Sequence, residues 1–252
     1  MAGRRLRCAV ATAALLLSPA LVTTAAADGG GDPSARELAR QAENNLLHAR
    51  SVRLTLTDRS TAARTSGKEL DSMDLALDRE NNCVGTLRMG PNSGSLEIVK
   101  RGDQIWMKPD STFWKAQTPG GQGDEVAELL KDRYVHGSTH DAVLGLWTDV
   151  CDLSGFRREL TLDTSSGKPL TKGAETTVDG TKVIPLKGEK DGRPTTLYVT
   201  SDSPHLLVGA ARKGDGTDRT VTLGDYDEPV PSATPSPEES VDVSELKQLL
   251  GS

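Results

Sequence analysis

The stretch "GSLEIVKRGDQIWMKPDSTFWKA", residues 94–116, predicts a β-hairpin. Two runs of alternating apolar and polar residues flank Gly102-Asp103, and this dipeptide suits a type II′ turn, which takes glycine first. Placing Arg101 opposite Gln104 also pairs Lys100 with Ile105, Val99 with Trp106, Ile98 with Met107, and Glu97 with Lys108. One face then carries Leu96, Ile98, Ile105 and Met107, and the other carries Trp106, Val99 and the Glu97–Lys108 pair. The hairpin contains neither a nucleophile nor a set of metal ligands.

The same period of two appears in three segments that precede the hairpin, which predicts strands that each bury one face. Their apolar positions are Val52, Leu54 and Leu56; Met73, Leu75 and Leu77; and Gly85, Leu87 and Met89. With the hairpin they make five consecutive strands. Before them, Pro33 to Ala49 predicts a helix, with Asp32 as its cap and Pro33 at its first position. The apolar residues of this helix are Leu38, Ala39, Ala42 and Leu46.

Residues 122–160 break the alternation and predict helices. One face of the first helix holds Val126, Leu129 and Leu130, and one face of the second holds Val143, Leu146, Trp147 and Val150 before Cys151. A third helical turn is predicted for Leu153 to Leu160. Alternation returns in the segments Glu175–Val178, Thr181–Leu186, Thr195–Thr200, Leu206–Arg212 and Arg219–Tyr226. The predicted class is therefore α+β, with about ten antiparallel strands whose sheet is apolar on one face.

The first 27 residues have the pattern of a secretory signal peptide. A basic start with Arg4, Arg5 and Arg7 precedes a mostly apolar run, and Ala25-Ala26-Ala27 fits an A-x-A cleavage site. We expect cleavage after Ala27, because the apolar run is too short to span a bilayer and no second run of that length follows. General secretion is favoured over twin-arginine export, since the hydrophobic consensus of that pathway is missing.

The charge balance bears on the class of partner. The chain has 30 basic and 36 acidic side chains, a net charge of −6, and cleavage would remove three of the arginines. This acidic balance argues against nucleic acid and against electrostatic binding to anionic lipid heads. Aromatic residues are only 3% of the chain, so the core must be built from aliphatic side chains.

Cleavage would leave Cys83 and Cys151 as the two cysteines of the mature chain. An even pair in an exported chain predicts one disulfide, which would clamp the helical segment to the strand 83–89. Closing a loop of about 70 residues would stabilise the fold by up to ~4 kcal/mol in the entropic model. The alternative is a pair of unbonded, buried thiols.

The sequence lacks the common catalytic motifs: there is no G-x-S-x-G elbow, no H-E-x-x-H, no Gly-rich phosphate loop and no cysteine cluster. We therefore expect a protein that is not an enzyme and that has no cofactor and no metal. Three weaker patterns have structural explanations. Ser244-x-x-Lys247 fits a helix cap; His136 and His140 fit a loop before a helix at Thr139 better than a zinc site; Asp215 and Asp218 fit a hairpin loop better than a calcium site.

A leading helix, a run of strands, a helical insertion and further strands resemble the LolA-like half-barrel, and more narrowly the LppX/LprA/LprG group of actinobacterial lipoproteins. The resemblance extends from about Ser34 to Leu250. It rests on "SVRLTLT" (51–57), "NCVGTLRMG" (82–90), the opening stretch to Trp114, "SPHLLVGAARKG" (203–214), "LGDYDEPV" (223–230) and "VDVSEL" (241–246). It implies a curved antiparallel sheet covered by helices on its concave face. Those proteins carry a lipobox cysteine after the signal sequence, whereas here Asp28 follows Ala27, so a released or loosely wall-associated protein is expected.

The resemblance implies a secreted or envelope-associated, non-enzymatic binder or carrier of a lipid or acylated glycolipid, held between sheet and helices outside the cytoplasmic membrane. The residues expected to line its cavity are Val52, Leu54, Leu56, Met73, Leu75, Leu77, Leu87, Met89, Leu96, Ile98, Ile105, Met107, Val143 and Trp147. The alternative function is an envelope sensing or protein-interaction domain that regulates a membrane partner. Neither a nucleic-acid partner nor a stable transmembrane anchor is expected.

The expected organisation is one main domain with short flanking segments. Residues 1–27 are the signal peptide, 28–33 a flexible leader, 34–227 the half-barrel domain, and 228–252 a Pro/Ser-rich linker with a short terminal helix. Ser244 is the predicted cap of that last helix.

Overall fold

The structure, a computed structural model, describes residues 33–131, 133–162 and 169–251. The predicted signal peptide, the leader up to Asp32 and the cleavage site lie outside the described residues. The helices are α1 (Ala35–His48), α2 (Thr61–Thr65), α3 (Ser111–Gln117), α4 (Gly123–Leu129), α5 (Leu153–Leu160) and α6 (Val243–Gly251), with 3₁₀ turns at Pro119–Gly121 and Leu144–Cys151. The strands are β1 (Ser51–Asp58), β2 (Leu70–Asp78), β3 (Cys83–Met89), β4 (Ser95–Arg101), β5 (Gln104–Pro109), β6 (Tyr134–Ser138), β7 (Thr171–Lys172), β8 (Thr176–Val178), β9 (Thr181–Lys190), β10 (Arg193–Thr200), β11 (Leu207–Gly214), β12 (Thr217–Gly224) and β13 (Ser240–Asp242).

The described strands form one curved, unclosed sheet in the order β13-β6-β5-β4-β3-β2-β1-β12-β11-β10-β9-β7, with β8 also paired to β9. Its pairs are antiparallel except for β13 with β6. Most neighbours in the sheet are consecutive in the chain, and the pairing of β1 with β12 joins the two halves. The predicted α+β half-barrel is confirmed, with thirteen strands rather than about ten.

The opening stretch forms the predicted hairpin, β4 and β5. Arg101 pairs with Gln104, and the four further pairs up to Glu97 with Lys108 are those expected from the sequence. Gly102 has a φ of 51°, the positive angle that the first position of a type II′ turn requires. Leu96, Ile98, Ile105 and Met107 are all buried, so the apolar face is also confirmed.

The first helix begins two residues later than predicted, at Ala35 rather than Pro33. Ser34 is its cap, because the Ser34 hydroxyl accepts a hydrogen bond from the backbone N–H of Glu37 at 3.2 Å. The cap predicted at Asp32 is therefore replaced by Ser34. The four apolar residues predicted to share one face of α1 are buried, and they pack on the sheet.

The helices cover one face of the sheet, which we call the inner face. The side chains of β1 to β5 that alternate towards it are among the least exposed of the described chain: Leu54, Leu75, Leu77, Ile98 and Ile105 each have 0% exposure. They belong to one apolar cluster with residues of α1, α4, α5 and α6. Burial of aliphatic surface at about 25 cal/mol per Å² is therefore the main force that holds the helices to the sheet.

Two elements within residues 110–140 differ from the prediction. The sequence "STFWKA" was predicted as the end of the hairpin stretch, but it forms α3, because the Asp110 carboxylate accepts the Phe113 N–H at 2.7 Å and caps a helix. The segment around His136 was predicted as a loop, but it is β6. The His136 ring stacks on Trp106 of β5 with 4.6 Å between ring centroids, and such cross-strand contacts decide short strands more than local sequence does.

The C-terminal segment adds to the same sheet and core. β13 pairs in parallel with β6, and Val241, Val243 and Leu246 are buried. Ser244 was predicted as the cap of the last helix, but α6 begins at Val243, and the Asp242 carboxylate accepts the Ser244 N–H at 2.8 Å.

Cys83 and Cys151 form a disulfide, as predicted, with 5.5 Å between their Cα atoms. Both residues are fully buried. The bond joins the start of β3 to the end of the 3₁₀ turn and lies two residues before α5, so it fixes the N-terminal end of α5 against the sheet.

Candidate functional site

Most residues that were expected to line a cavity are instead packed against the protein's own side chains. The twelve predicted residues from Val52 to Met107 are each at most 8% exposed, and the inner face that they form is filled by the helices. Leu56 lines an apolar cleft, and Leu96 lines a wider polar groove. The role of the twelve predicted residues in ligand binding stays a prediction.

The two predicted lining residues of the second helical segment have different positions. Trp147 is partly buried and packs against Phe113, with 5.7 Å between ring centroids. Val143 was expected to face the interior, but it is 52% exposed. The segment is a 3₁₀ turn with three residues per turn, so Leu144 rather than Val143 points inward, where it lies against Gly137.

The described structure does contain one apolar cleft on the inner face, beside α5, with a volume of about 130 Å³. We call it the α5 cleft. Its apolar wall consists of Leu56, Phe156, Leu160, Ala210 and Val221, and its polar rim consists of Glu159, Thr195, Arg212 and Arg219, with Ala211 beside them. Strands β1, β10, β11 and β12 supply the floor, and α5 supplies the roof. Of these residues, Leu56 alone was predicted to line a ligand site.

Three residues of the polar rim, Thr195, Arg212 and Arg219, belong to a row of polar side chains across four neighbouring strands, which Asp58 completes. Asp58 of β1 is opposite Arg219 of β12, Arg219 is opposite Arg212 of β11, and Arg212 is opposite Thr195 of β10. Ala210 and Val221, the next residues along the same face, form the apolar floor. The cleft therefore changes from apolar to cationic within two positions of the strands.

Asp58 and Arg219 form the stronger ion pair of this row. Both Nε and Nη2 of Arg219 donate to Asp58 Oδ2, at 2.8 and 2.6 Å, and Asp58 Oδ1 accepts the Ser60 N–H at 2.9 Å. Burial of the Asp58 side chain, which is 5% exposed, favours the protonated form, but the hydrogen bonds from Ser60 and Arg219 outweigh it and lower the pKa of Asp58. Asp58 is thus held as a carboxylate beside the cleft.

Leu160 separates the α5 cleft from a second, smaller cavity. That cavity has a volume of about 20 Å³ and lies between α1 and α5, against Ala42, Leu46 and Leu197. It has room for about one water molecule. Leu160 therefore lines both spaces.

Arg157 lies at the α1 side of the smaller cavity. Its Nη2 donates to the Ala49 carbonyl at 2.8 Å, whereas its Nε is buried and has no partner among the described residues. Burial and the neighbouring Arg79 both lower the pKa of Arg157. Arg79 also donates to the Ala49 carbonyl, at 2.8 Å, so the two guanidinium groups together bind the C-terminal end of α1.

The weaker patterns of the sequence do not assemble into a site. Among the described residues, no group of three or more metal-ligating side chains comes together. His136 Nε2 is hydrogen-bonded to Gln104 Oε1 at 2.7 Å, and Asp215 and Gly216 form the predicted turn between β11 and β12. Lys247 contacts Asp141 Oδ2 at 2.5 Å.

One feature of the sequence indicates the cleft. In "VGAARKG", residues 208–214, Arg212 follows Ala210 at the period of two and so falls on the inner face. A charged residue at an inward position of a strand is uncommon unless it has a partner or a function.

No helix within the described ranges is both long and apolar enough to cross a bilayer. No protein-family model and no curated protein matches the sequence. Among solved structures, LprF from Mycobacterium bovis has a TM-score of 0.57 and 17% identity, covering 82% of this chain and 100% of its own. The lipoprotein LppX from Mycobacterium tuberculosis has a TM-score of 0.49 and 18% identity, and the match covers 81% of this chain and 100% of the LppX chain. The likeness to LprF confirms the predicted resemblance at the level of the fold.

Proposed function

We propose that this protein is a non-enzymatic binder or carrier of a hydrophobic ligand, and that an acyl chain of the ligand occupies the α5 cleft. One observation carries the proposal: an apolar cleft opens beside α5 on the inner face of the sheet. Solvent-accessible apolar concavities with a few convergent polar groups are the usual form of a small-molecule site.

The volume of the cleft limits what enters without movement. At about 130 Å³ it is below the ~300–1,000 Å³ that typical ligand pockets have, and close to cavities that bind one small apolar molecule. The α5 cleft thus has room for the end of one chain and not for a whole multi-chain lipid. A longer chain requires that Leu160 move.

The energy of that movement is modest. Exposing one leucine side chain costs about 1.5–3 kcal/mol, and burying each methylene of a ligand contributes about 0.8 kcal/mol. About four buried methylenes therefore offset the displacement of Leu160. Leu153 and Leu160 are the buried residues of α5, and the disulfide holds its N-terminal end, so its C-terminal end is the part that a ligand could displace.

The proposal also includes the location of the protein and its lack of enzymatic activity. The signal-peptide pattern of residues 1–27 supports a function outside the cytoplasmic membrane, as a secreted or envelope-associated protein. The absence of catalytic motifs from the sequence fits a carrier, since holding an acyl chain requires aliphatic surface and no reactive group.

A variant with a larger side chain in the cleft tests this proposal. Ala210→Leu places three further carbon atoms in the space that an acyl chain would use. We expect it to weaken the affinity for a fluorescent fatty-acid probe roughly tenfold, the value of about two methylenes. Thr196→Leu is the matched control, because Thr196 lies on the opposite face of neighbouring β10 and does not line the cleft.

Three results would contradict the proposal: delipidated wild-type protein that binds no acyl probe, equal losses in both variants, or full affinity in Ala210→Leu. Thermal unfolding checks that both variants are folded. If no lipid binds while one membrane protein is captured, the sensing function predicted from the sequence replaces the carrier function.

A further inference from the structure

The pairing of Arg212 with Arg219 is unfavourable for the isolated fold. The two residues are directly opposite each other on β11 and β12, and like charges in such positions destabilise a sheet. The buried carboxylate of Asp58 is opposite Arg219, and both of its hydrogen bonds from arginine come from Arg219. Arg212 is therefore the cation of the row that the sheet leaves without a hydrogen-bonded carboxylate.

The remaining contacts of Arg212 are weak for a side chain that is only 16% exposed. Its Nη2 donates to the Glu159 carbonyl at 3.2 Å, and the nearest Glu159 carboxylate oxygen is 3.9 Å away. That separation exceeds a hydrogen bond, and the Glu159 side chain is 69% exposed, so solvent screens the attraction. A guanidinium carries five N–H donors, and among the described residues the Glu159 carbonyl accepts from one of them, which leaves Arg212 donors that could bind a ligand.

We propose that the ligand of the α5 cleft is an anionic amphiphile, whose carboxylate or phosphate head is bound by Arg212 while its chain lies on Leu56, Ala210 and Val221. This inference rests on the proposed function and specifies its substrate class. The head belongs at Arg212 because the rim and the floor are adjacent positions of the same strands. Guanidinium binds both carboxylate and phosphate through paired hydrogen bonds.

Glu159 has a distinct role in this arrangement. The Glu159 carboxylate lies near Arg212 without a hydrogen bond to it. An anionic head group bound to Arg212 would therefore lie close to the negative charge of Glu159, which would repel it. Removing the Glu159 charge should thus strengthen anion binding, whereas removing the Arg212 charge should weaken it. These opposite signs separate head-group recognition from a general effect on folding.

The experiment compares three probes of equal chain length, dodecanoate, dodecyl phosphate and dodecanol, by calorimetry at pH 7 and low salt. Arg212→Gln should weaken the binding of at least one anionic probe roughly 10- to 100-fold and leave dodecanol unchanged. Glu159→Gln should tighten the same anionic probe about threefold. Arg158→Gln is the control on the same helix, since Arg158 has a 72% exposed side chain and does not line the cleft; it should change nothing.

The probes also distinguish the two anions, because the one whose affinity depends more on Arg212 identifies the head group. If Arg212→Gln weakens all three probes equally, or if dodecanol binds as tightly as the anions, the inference is wrong while the proposed function stands. If wild-type protein binds none of the three, the proposed function itself is wrong. Arg212→Lys keeps the charge, and intermediate anion affinity in that variant would support direct recognition.

Discussion

Asp58 illustrates, at the scale of the residue, how a buried charge is held beside the cleft. Its carboxylate is 5% exposed and accepts two hydrogen bonds from Arg219. The pKa of Asp58 is lowered, so its contribution to stability is present above the ordinary aspartate pKa of about 3.9 and is lost as the pH falls through the lower folded value.

Asp58→Asn should therefore lower the free energy of unfolding by about 2 kcal/mol at pH 7, because Arg219 loses its charged partner. The difference between variant and wild type should become small as the pH falls through the lowered pKa of Asp58, since the wild-type carboxylate then becomes protonated as well. Urea unfolding at neutral pH and in strong acid measures this. An equal loss at both would mean that shape rather than charge determines the effect.

The sequence predicted the faces of residues on regular strands and missed the residues of the cleft. Alternation placed Ile98 and Met107 inward correctly, because strand geometry alone decides which side a residue takes. The prediction that Val143 faces the interior was wrong, because the segment forms a 3₁₀ turn, whose period differs from that of the predicted α-helix. Arg212 was overlooked, since a single charge in an apolar pattern has meaning only once its neighbours on other strands are known.

At the scale of the element, the C-terminal segment is more than a tail. β13 extends the sheet beside β6, and Leu246 of α6 is 6% exposed. We expect Leu246→Ala to lower the free energy of unfolding by about 2–3 kcal/mol, the lower end for a buried leucine. Gln248→Ala, at an exposed position of the same helix, should change it by less than about 0.5 kcal/mol.

Denaturant unfolding of both variants checks this prediction. A Leu246→Ala variant as stable as wild type would mean that α6 is dispensable for the core, as the sequence-based division at residue 228 supposed. Because alanine favours a helix more than glutamine does, a large loss in Gln248→Ala would instead mean that contacts of the Gln248 side chain stabilise this segment.

The elements that the sequence missed share one physical property: they depend on distant partners. β6 is five residues long and pairs with β5 and with β13, which lies about a hundred residues later in the chain. The β4–β5 hairpin was predicted to the residue because its partner strand follows after two residues and the turn fixes the register. The disulfide was also predictable, since the signal-peptide pattern and the even number of cysteines expected after cleavage are read from the sequence without any geometry.

At the scale of the whole molecule, one sheet provides both the stability and the candidate site. Its inner face is filled over β2 to β5 and opens beside α5, above β1 and β10 to β12. The pattern of the sequence predicted the α+β class and the apolar face, but whether helices fill that face depends on side-chain volumes at many contacts. Composition does not determine such packing.

The most direct test of the account maps where a chain lies in the folded protein. The delipidated protein is mixed with a fatty acid that carries a photoreactive diazirine near its methyl end, irradiated, and digested for mass spectrometry. We predict adducts on residues 153–160 of α5 and on residues 210–221 of the facing strands. Adducts confined to the outer face of the sheet or to the exposed residues around Leu146, or no adducts at all, would contradict the claim that the α5 cleft binds an acyl chain.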